Sequence, residues 1–406
     1  MIYIFIFLLL IYLIYRYDYK HNERGRLFWL VVVTLIFIVL GGLHYRVGFD
    51  SLTYEKFYDK LSPLNTITPA KIESSRFAPG FVILASFTKL FNEEPVLLYF
   101  IQSGFLCAVV TWFFVKNTRN VFFAFLMFYA FCFTLLVFEQ IRESIAVAFF
   151  LLAWPAFKSN NWLKYYILSF CALAFHTSAT FMFILPIILL PGIKQLFIFG
   201  KRTWLFCLIV LAIAFVLQAT FSQYIKLLAV TESMEELTGK YENTSFIKGN
   251  LNILGIVSVI FRDILYPLLA LVYFNAIKKR GLFDGNNERL EMFVILSIYI
   301  SILSIGVPIL SRYNNYFFFF PIVLISDWLF SVIIVGRRKV RFSFVYWIVI
   351  VFPMFITQIN SAYFTKMNNS GTKKGYMAYY PYTSYINKEK DADRVKVIQK
   401  FRRKRH

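Results

Sequence analysis

The sequence predicts an all-α polytopic integral membrane protein with about 12 transmembrane helices. Composition is the first observation: 59% of the 406 residues are hydrophobic, 20% are aromatic and only 16% are charged. An average soluble domain carries about 25% charged residues. The second observation is a series of apolar runs, separated by short basic segments. Together these observations exclude a soluble, disordered or disulfide-rich secreted protein.

Most of the positive charge lies in short loops between the apolar runs. Forty-three Lys and Arg oppose 22 Asp and Glu, which gives a formal net charge of +21. Polytopic membrane proteins distribute basic residues in this way, whereas a nucleic-acid-binding protein gathers them on one soluble face. We therefore expect membrane lipid as a partner and no nucleic acid.

The apolar runs define the predicted spans. A helix crosses about 30 Å of hydrocarbon with about 20 residues, and backbone groups in lipid must be satisfied within the helix. The runs that meet this length, or fall somewhat short of it, are 2–15, 27–43, 95–115, 120–138, 143–157, 163–175, 177–191, 203–221, 251–277, 290–310, 313–335 and 342–360.

The basic segments between these runs predict the orientation, because such segments stay in the cytoplasm. Six of them contain at least two Lys or Arg: 16–26, 116–119, 158–164, 192–202, 278–289 and 336–341. They share one side only if 163–191 forms a helical hairpin with His176 at its outer tip and if 79–91 does not cross. Both termini are then outside, and the long outer loops are 44–94 and 222–250.

This orientation gives a simple domain organisation. We expect one polytopic membrane domain over 1–360 and a basic C-terminal tail over 361–406 that contains a Tyr-Pro-Tyr segment. The basic character of the tail would by itself favour the cytoplasm, but the count of spans places the tail outside.

The first group of candidate functional residues follows the second predicted span, in the stretch 42–54. Gly48 allows a tight turn that puts Arg46 and Asp50 at the membrane exit, beside Tyr54. An arginine fork suits a phosphate or a carboxylate. In the structural alternative Arg46 snorkels to the interface and Asp50 caps the next helix. For this stretch taken alone, the structural alternative is better supported.

The second group lies between two strongly apolar runs. Glu139, Arg142 and Glu143 recur at helical spacing, so they share one helix face. Charges at a span boundary are costly unless they are paired or hydrated, and an ionisable residue there indicates function. The alternative is a Glu139–Arg142 pair that only ends two helices at the interface. The apolar flanks favour a functional role.

The third group centres on His176. Histidine titrates near neutrality and transfers protons, although a lone histidine in a core is more often structural. Its predicted place at a hairpin tip, on the same side as Arg46 and Arg142, favours function.

Two further candidates lie nearer the C-terminus. Arg312 stands between two predicted spans on the outer side, and Tyr382 lies in the aromatic segment 379–385. Tyrosine rings suit stacking on sugars and also suit membrane interfaces. The sequence contains no Gly-rich phosphate loop and no His-Glu-x-x-His, Gly-x-Ser-x-Gly or Cys-x-x-Cys motif. We find no metal-ligand spacing among its His, Asp and Glu residues.

In this order and spacing, the motifs resemble the EpsG family of exopolysaccharide and O-antigen polymerases, which are Wzy-like. The resemblance is carried by the stretches 42–50, 141–146 and 175–179, by Arg312 and by 381–384. Each motif is short, but together they extend over most of the chain.

The resemblance implies an enzyme at the outer face of the bacterial cytoplasmic membrane. Such proteins join oligosaccharide repeat units carried on undecaprenyl diphosphate, and transfer the growing chain to the incoming lipid-linked unit. The products are capsule, exopolysaccharide or O-antigen. No cofactor is expected, and no metal is needed if arginines hold the diphosphate. A flippase and a chain-length regulator are the candidate protein partners. Glu143 departs from the family, which commonly has Gln there.

The roles of individual residues follow from this chemistry. The expected substrate ligands are three arginines for the diphosphate and two tyrosines for sugar: Arg46, Arg142, Arg312, Tyr54 and Tyr382. The acceptor hydroxyl needs a general base, and the candidates, in order of preference, are His176 or Glu139 and then Asp50.

Two alternatives remain at this point. One is a flippase or other transporter of lipid-linked oligosaccharides, which would carry charges at the membrane midplane, as Arg262, Asp263 and Asp327 partly do. The other is a different membrane transferase, such as a polyprenyl-phosphate-dependent glycosyltransferase or an acyltransferase. The denser charge cluster at one face favours the polymerase.

Overall fold

The computed structural model describes residues 2–228, 260–279, 288–307, 310–336, 375–388 and 392–403. These residues are mostly helical and include no β-strand. By its contacts the chain divides into two compact units. The first unit is Met1–Pro186 with Lys374–Ile398, and the second is Ile187–Lys373 with Gln399–His406.

The first unit contains most of the candidate residues. Its helices up to the second unit are α1 (Ile2–Leu13), α2 (Arg26–Gly42), α3 (Ser51–Lys60), α4 (Pro69–Glu73), α5 (Pro79–Lys89), α6 (Val96–Asn117), α7 (Val121–Phe128), α8 (Ile141–Lys158), α9 (Trp162–Phe175) and α10 (Phe181–Ile184). π-Helical segments continue α1 over Ile14–Tyr19 and α7 over Tyr129–Glu139.

The second unit contains α11 (Pro191–Lys194), α12 (Lys201–Leu228), α13 (Tyr266–Lys279), α14 (Glu288–Gly306), α15 (Ser311–Phe317) and α16 (Phe319–Gly336). Helices α12 and α14 approach closely, since a Cβ atom on Gly306 would overlap the carbonyl oxygen of Ala214. Small residues allow such approach between helices in membranes. The last helix, α17 (Ala392–Arg403), belongs to the first unit as far as Ile398.

One end of the first unit, the basic end, is where residues 16–26, 116–123 and 154–162 meet. Arg26 Nη2 donates to the carbonyl of Arg119 at 2.7 Å, and the carboxylate of Asp18 accepts the backbone N–H of Phe123 at 2.8 Å. The indole of Trp154 donates to the Asn117 side chain at 3.2 Å. Three segments that the sequence placed on one side therefore lie together.

The opposite end, the loop end, is where residues 43–54, 139–142 and 376–385 meet. An isolated antiparallel bridge joins His44 to Ser384, and the N–H of Gly48 donates to the carbonyl of Ala378 at 2.8 Å. The hydroxyl of Tyr3, at the start of α1, donates to the carbonyl of Tyr379 at 3.0 Å. Helices α1, α2, α6, α7, α8 and α9 run between the two ends in alternating directions.

By length and composition, four helices among the described residues suit a membrane crossing: Ile2–Tyr19, Val96–Asn117, Val121–Glu139 and Glu288–Gly306. A bent pair, Thr177–Leu189 with Pro191–Phe197, makes a fifth when counted as one span. Shorter apolar helices include α2, whose 17 residues span about 25 Å. The described residues thus confirm a helical membrane protein, but the number of about 12 spans is not confirmed. The predicted span 342–360 lies outside the described residues, and so does the part of the predicted span 251–277 before residue 260.

The predicted outer loop 44–94 is folded into α3, α4 and α5 at the loop end. Helix α5 has 11 residues and is about 16 Å long, which is too short to cross. Its Thr88 accepts the hydroxyl of Tyr58 in α3 at 3.3 Å. Of the second predicted loop, 222–250, only the part that ends α12 is described.

The predicted turn at His176 is present. Helix α9 ends at Phe175, and His176 has extended backbone angles (φ −153°, ψ 129°). The following residues pack back along α9: the hydroxyl of Tyr165 donates to the carbonyl of Met182 at 2.7 Å, and the rings of Phe170 and Phe183 are 4.8 Å apart.

The described part of the C-terminal segment packs in the first unit as far as Ile398, and the predicted boundary at residue 360 lies outside the described residues, so the division into a membrane domain and a tail stays a prediction. The stretch 1–360 is shared between two units. The packing of the C-terminal segment has a local physical reason: Ala378, Tyr379 and Ile398 are buried, and the backbone around residue 384 pairs with the chain after α2.

Candidate functional site

The site is built around the junction between α7 and α8. The π-helical segment ends at Glu139, Gln140 leaves helical geometry (φ −99°, ψ 52°), and α8 begins at Ile141. Arg142 and Glu143 therefore lie in the first turn of α8, at the loop end. This break keeps three charged residues near the end of two apolar helices, where their desolvation costs less than at mid-membrane.

Arg142 contacts residues from the segment that follows α2. Its Nε donates to the hydroxyl of Tyr54 at 3.5 Å, and its guanidinium carbon lies 4.2 Å from the centroid of the Phe77 ring. Tyr54 and Phe77 are buried, and Arg142 is half-buried. The Tyr54 cluster is defined as Tyr54, Phe77, Arg142, Asp50 and Glu143.

Both carboxylates of this cluster act on the same hydroxyl. The pKa of Tyr54 is raised, chiefly by burial, and the charges of Asp50 and Glu143 raise it further, whereas Arg142 lowers it. Asp50 precedes α3, and Glu143 is itself buried. The structure therefore brings Asp50, Tyr54 and Arg142, which the sequence proposed from two separate motifs, into one place.

A second guanidinium group lies against the same ring. Arg76 is exposed, and its guanidinium carbon is 4.7 Å from the Phe77 centroid. Cation–π attraction of this kind holds a guanidinium in place, and its desolvation cost is smaller than that of burial in the core. In the sequence, Arg76 is one residue of the predicted outer loop 44–94. Nothing in its local sequence shows that it shares a ring with Arg142.

Aromatic packing gives the cluster a firm base. The rings of Phe57 and Phe77 are 4.4 Å apart, and Tyr54 packs on Phe81 at 5.9 Å. These residues belong to one hydrophobic cluster that also contains Ile141 at the start of α8. The arginines are thus held on a packed core.

Glu139 lies four residues before Glu143, on the other side of the break at Gln140, so the two do not share the continuous helix face that the sequence predicts. Glu139 is buried. Its carboxylate accepts the hydroxyl of Tyr379 from the C-terminal segment. A Cβ atom on Gly48 would lie 2.9 Å from the Phe138 carbonyl oxygen and 3.2 Å from Cγ of Glu139, and Gly48 has a φ of +93°. Only glycine fits this position without strain, and it lets the 46–50 turn lie directly on Glu139.

His176 serves a local structural role. Its Nδ1 accepts the backbone N–H of Ser178 at 3.2 Å and so caps the following 3₁₀ turn. The side chain is buried, and the adjacent Phe175 packs against the hydrophobic cluster below Tyr54. His176 therefore borders the site, with Nδ1 already engaged.

Arg46 differs from its expected role as a phosphate ligand. Its guanidinium pairs with Glu55 of α3, with Nη2–Oε1 at 2.7 Å and Nε–Oε2 at 2.9 Å. This hydrogen-bonded carboxylate raises the pKa of Arg46. The fork that the sequence assigned to phosphate is occupied by a carboxylate nine residues away along the chain.

The two remaining candidates have different positions. Tyr382 is half-buried, and its hydroxyl donates to the carbonyl of Leu40 at 2.8 Å, so it fastens the C-terminal segment to the end of α2. Arg312 is half-buried in α15 of the second unit.

Arg394 is a residue that sequence analysis missed. It is 1% exposed, and it donates to the carbonyls of Met377 and Pro381 and to the hydroxyl of Thr383. It thereby holds the turn that presents Tyr379 to Glu139. In the sequence it is one of many basic residues near the C-terminus, and no local pattern marks it as buried.

The fold and the site define a helical membrane protein with an arginine-lined, aromatic site at one end of its first unit. The described residues contain no group of three His, Cys, Asp or Glu placed to hold a metal ion. Comparison with known families gives one match, to the EpsG family, over residues 26–384.

The chain belongs to the EpsG family, whose members are Wzy-like polysaccharide polymerases. No curated protein and no solved structure matches it significantly. The resemblance found in the sequence motifs is therefore confirmed at the level of the family.

Proposed function

We propose that the protein polymerises oligosaccharide repeat units carried on undecaprenyl diphosphate, at the outer face of the bacterial cytoplasmic membrane. The growing chain is transferred from its lipid carrier to the incoming lipid-linked unit. Membership of the EpsG family supports the polymerase activity. The observation that carries the residue assignment is the presence of Arg76 and Arg142 on one aromatic ring, beside the Tyr54 hydroxyl.

The chemistry explains why two such groups are useful. The bond between the sugar C1 and the diphosphate oxygen breaks, and its electron pair leaves with the diphosphate. A bond forms between C1 and an acceptor hydroxyl oxygen, whose proton goes to a base. Negative charge grows on the leaving group, and preorganised guanidinium groups stabilise it more in the transition state than in the ground state.

We propose Asp50 as the general base. Its carboxylate lies close enough to Tyr54 to raise the pKa of that hydroxyl, and it is half-buried and so accessible to an acceptor. Glu139 is buried against Tyr379, and His176 uses Nδ1 as a cap. We assign these two residues to the wall of the site.

The two ends of the first unit support the proposed orientation. The basic end gathers the segments that remain in the cytoplasm under the positive-inside rule. The Tyr54 cluster lies at the loop end, so it faces outward. An outward site receives lipid-linked units only after a flippase has moved them across, which makes a flippase and a chain-length regulator the expected partners.

Reconstitution with a defined lipid-linked repeat unit, followed by sizing of the products, tests the proposal. Wild-type protein should give a ladder of chain lengths. Arg142→Gln should lower kcat by about 100-fold or more, as loss of one preorganised donor does elsewhere. Lys116→Gln, an exposed basic residue at the other end, is the matched control and should retain activity within about twofold.

Two results would refute the proposal in different ways. Transport of the lipid-linked unit without any chain growth in the wild type would favour the flippase. Normal chain growth by Arg142→Gln would keep the polymerase but reject the arginine assignment.

A further inference from the structure

A second candidate site lies at the basic end, beyond the C-terminal end of α1, whereas the Tyr54 cluster lies at the loop end. A cavity of about 620 Å³ opens beside the π-helical end of α1 and is lined by Tyr12, Tyr15, Arg16, Lys20 and Asn22. The family match begins at residue 26, so all of these residues precede the region shared with the family.

The lining carries two positive charges and no acidic side chain. The guanidinium of Arg16 donates to the hydroxyl of Tyr12 at 2.8 Å, and the ammonium of Lys20 lies 5.4 Å from the centroid of the Tyr15 ring. The nearby Asp18 is 1% exposed, and its Oδ2 accepts a backbone N–H inside the protein. Its carboxylate therefore points into the protein and is not part of the cavity lining.

An exposed apolar stripe leads along α1 to this cavity. Ile4, Leu8, Ile11 and Tyr15 recur at helical spacing, and each is at least 43% exposed. In the span Ile2–Tyr19 only 28% of residues are buried inside the protein. Such a face lies against acyl chains when the helix is in a bilayer.

We propose that this cavity binds the headgroup of an anionic glycerophospholipid, with the acyl chains along the α1 stripe. Arg16 and Lys20 hold the phosphate, and the tyrosine rings and Asn22 surround the glycerol and headgroup. A phosphodiester on a two-chain lipid matches both features, since a cationic pocket meets an apolar stripe. The basic end faces the cytoplasm under the positive-inside rule, where the leaflet surface is negative.

This site is separate from the proposed polymerase site. Tyr3 at the start of α1 contacts the C-terminal segment at the loop end, whereas Asp18 contacts the start of α7 at the basic end. The lipid site is thus on the opposite leaflet, and its test does not depend on glycosyl transfer.

Lipid binding can be measured on the full-length protein in nanodiscs that contain phosphatidylcholine and a titrated fraction of phosphatidylglycerol, by native mass spectrometry of the bound lipid. The double variant Arg16→Gln/Lys20→Gln should bind phosphatidylglycerol about 100-fold more weakly, because two charge-assisted contacts to the phosphate are lost. The matched control is Arg24→Gln/Lys116→Gln, which removes the same charge from two exposed residues at the same end. The control should keep its affinity within about twofold.

Lys20→Gln alone provides a second variant, because Lys20 is exposed and its loss does not threaten folding. It should weaken binding about tenfold, because one of the two contacts to the phosphate is lost. Equal loss in the control variant would show that only general charge matters and would overturn the proposal. So would unchanged affinity in both lining variants, or full displacement of phosphatidylglycerol by inorganic phosphate, which would indicate a free-anion site.

Discussion

At the residue scale, the loop end shows how charged groups are kept ready for a ligand. Arg76 and Arg142 carry like charges on one ring, which is unfavourable unless something offsets their repulsion. Cation–π contact with Phe77 contributes, and the carboxylates of Asp50 and Glu143 lie nearby, since both act on the Tyr54 hydroxyl. Under the proposed function, a diphosphate at this cluster meets donors that are already positioned, which lowers the reorganisation needed for catalysis.

The Tyr54 hydroxyl is the first test at this scale. Tyr54→Phe keeps the buried ring but removes the acceptor of the Arg142 Nε–H. We expect kcat/KM for chain growth to fall about tenfold because Arg142 loses its orientation, which corresponds to about 1.4 kcal/mol. The unfolding temperature should change little.

Tyr58→Phe is the matched control for that variant. The Tyr58 hydroxyl donates to Thr88 and to the carbonyl of Asn92, and neither carries charge. Its loss should cost about 1 kcal/mol of stability and leave kcat/KM unchanged. Equal kinetic effects of the two variants would remove Tyr54 from the site.

His44 provides a prediction about pH. Burial lowers the pKa of its imidazole from 6.5 to about 4, and the ring stacks on Tyr99 at 4.3 Å. Between these pKa values the unfolded chain binds more protons than the folded one, so stability falls as the pH falls through this window. From about pH 7.5 to pH 5 the loss should be about 2 kcal/mol.

Unfolding in detergent at several pH values measures this loss. His44→Asn removes the titrating ring and retains a donor for the Gly41 carbonyl, which lies beside Nδ1 of His44. The variant should be less stable at neutral pH, and its stability should depend less on pH. An unchanged slope in the variant would assign the acid sensitivity to other groups.

The sequence indicates candidate residues where their type and their position in a motif are informative. It does not indicate contacts that depend on a partner elsewhere in the chain. A charged break and a polar motif predict Arg142 and Tyr54, which the structure places in contact, and their role in the site stays a prediction. The sequence predicts Arg46 as a phosphate ligand, whereas the structure pairs it with Glu55 in the next helix. No local pattern in the sequence indicates this pair. Arg394 was missed because a buried arginine in a basic segment resembles its exposed neighbours.

At the element scale, the apolar runs predicted the helices that link the two ends of the first unit. Hydrophobicity over a span length is a strong signal, and the turn at His176 was predicted from charge placement. The three short helices in 44–94 were not predicted, since their mixed composition resembles a polar loop. Their positions depend on packing against α6, α8 and α9, which a local pattern cannot show.

The C-terminal helix α17 supplies the prediction at this scale. Arg394→Ala removes three hydrogen bonds to the turn 377–383 and leaves carbonyls without a donor. We expect this turn to open more readily, by about 2 kcal/mol. Hydrogen exchange of the backbone amides between 377 and 385 measures the effect directly.

Lys396→Ala is the control within the same helix. Lys396 is exposed and forms a 3.7 Å pair with Asp393, and such surface pairs contribute little. In Lys396→Ala, hydrogen exchange of the backbone amides between 377 and 385 should match that of the wild type. If the amides of Arg394→Ala exchange as slowly as those of the wild type, contacts other than those of Arg394 hold the turn.

At the scale of the whole molecule, the first unit has two chemically different ends. Basic loops meet at one end, and the aromatic and arginine-lined site lies at the other. The sequence predicted this separation because positive loops set orientation in membrane proteins. It could not give the division into two units, which depends on contacts between segments far apart in the chain.

Labelling from outside the cell tests this two-ended arrangement. In a background without the four native cysteines, Glu73→Cys lies in α4 at the loop end and Lys116→Cys at the basic end. A membrane-impermeant maleimide should label residue 73 in intact spheroplasts and residue 116 only after permeabilisation. The reverse pattern would place the proposed site in the cytoplasm.

We propose that Arg76 and Arg142 together bind the diphosphate, and the affinity of the protein for undecaprenyl diphosphate tests this role. In proteoliposomes, Arg76→Gln/Arg142→Gln should bind this lipid about 100-fold more weakly than the wild type, since two charge-assisted contacts are lost. The control Arg24→Gln/Lys116→Gln should bind it normally. Equal affinity of the double arginine variant and the wild type would show that these two arginines do not bind the diphosphate.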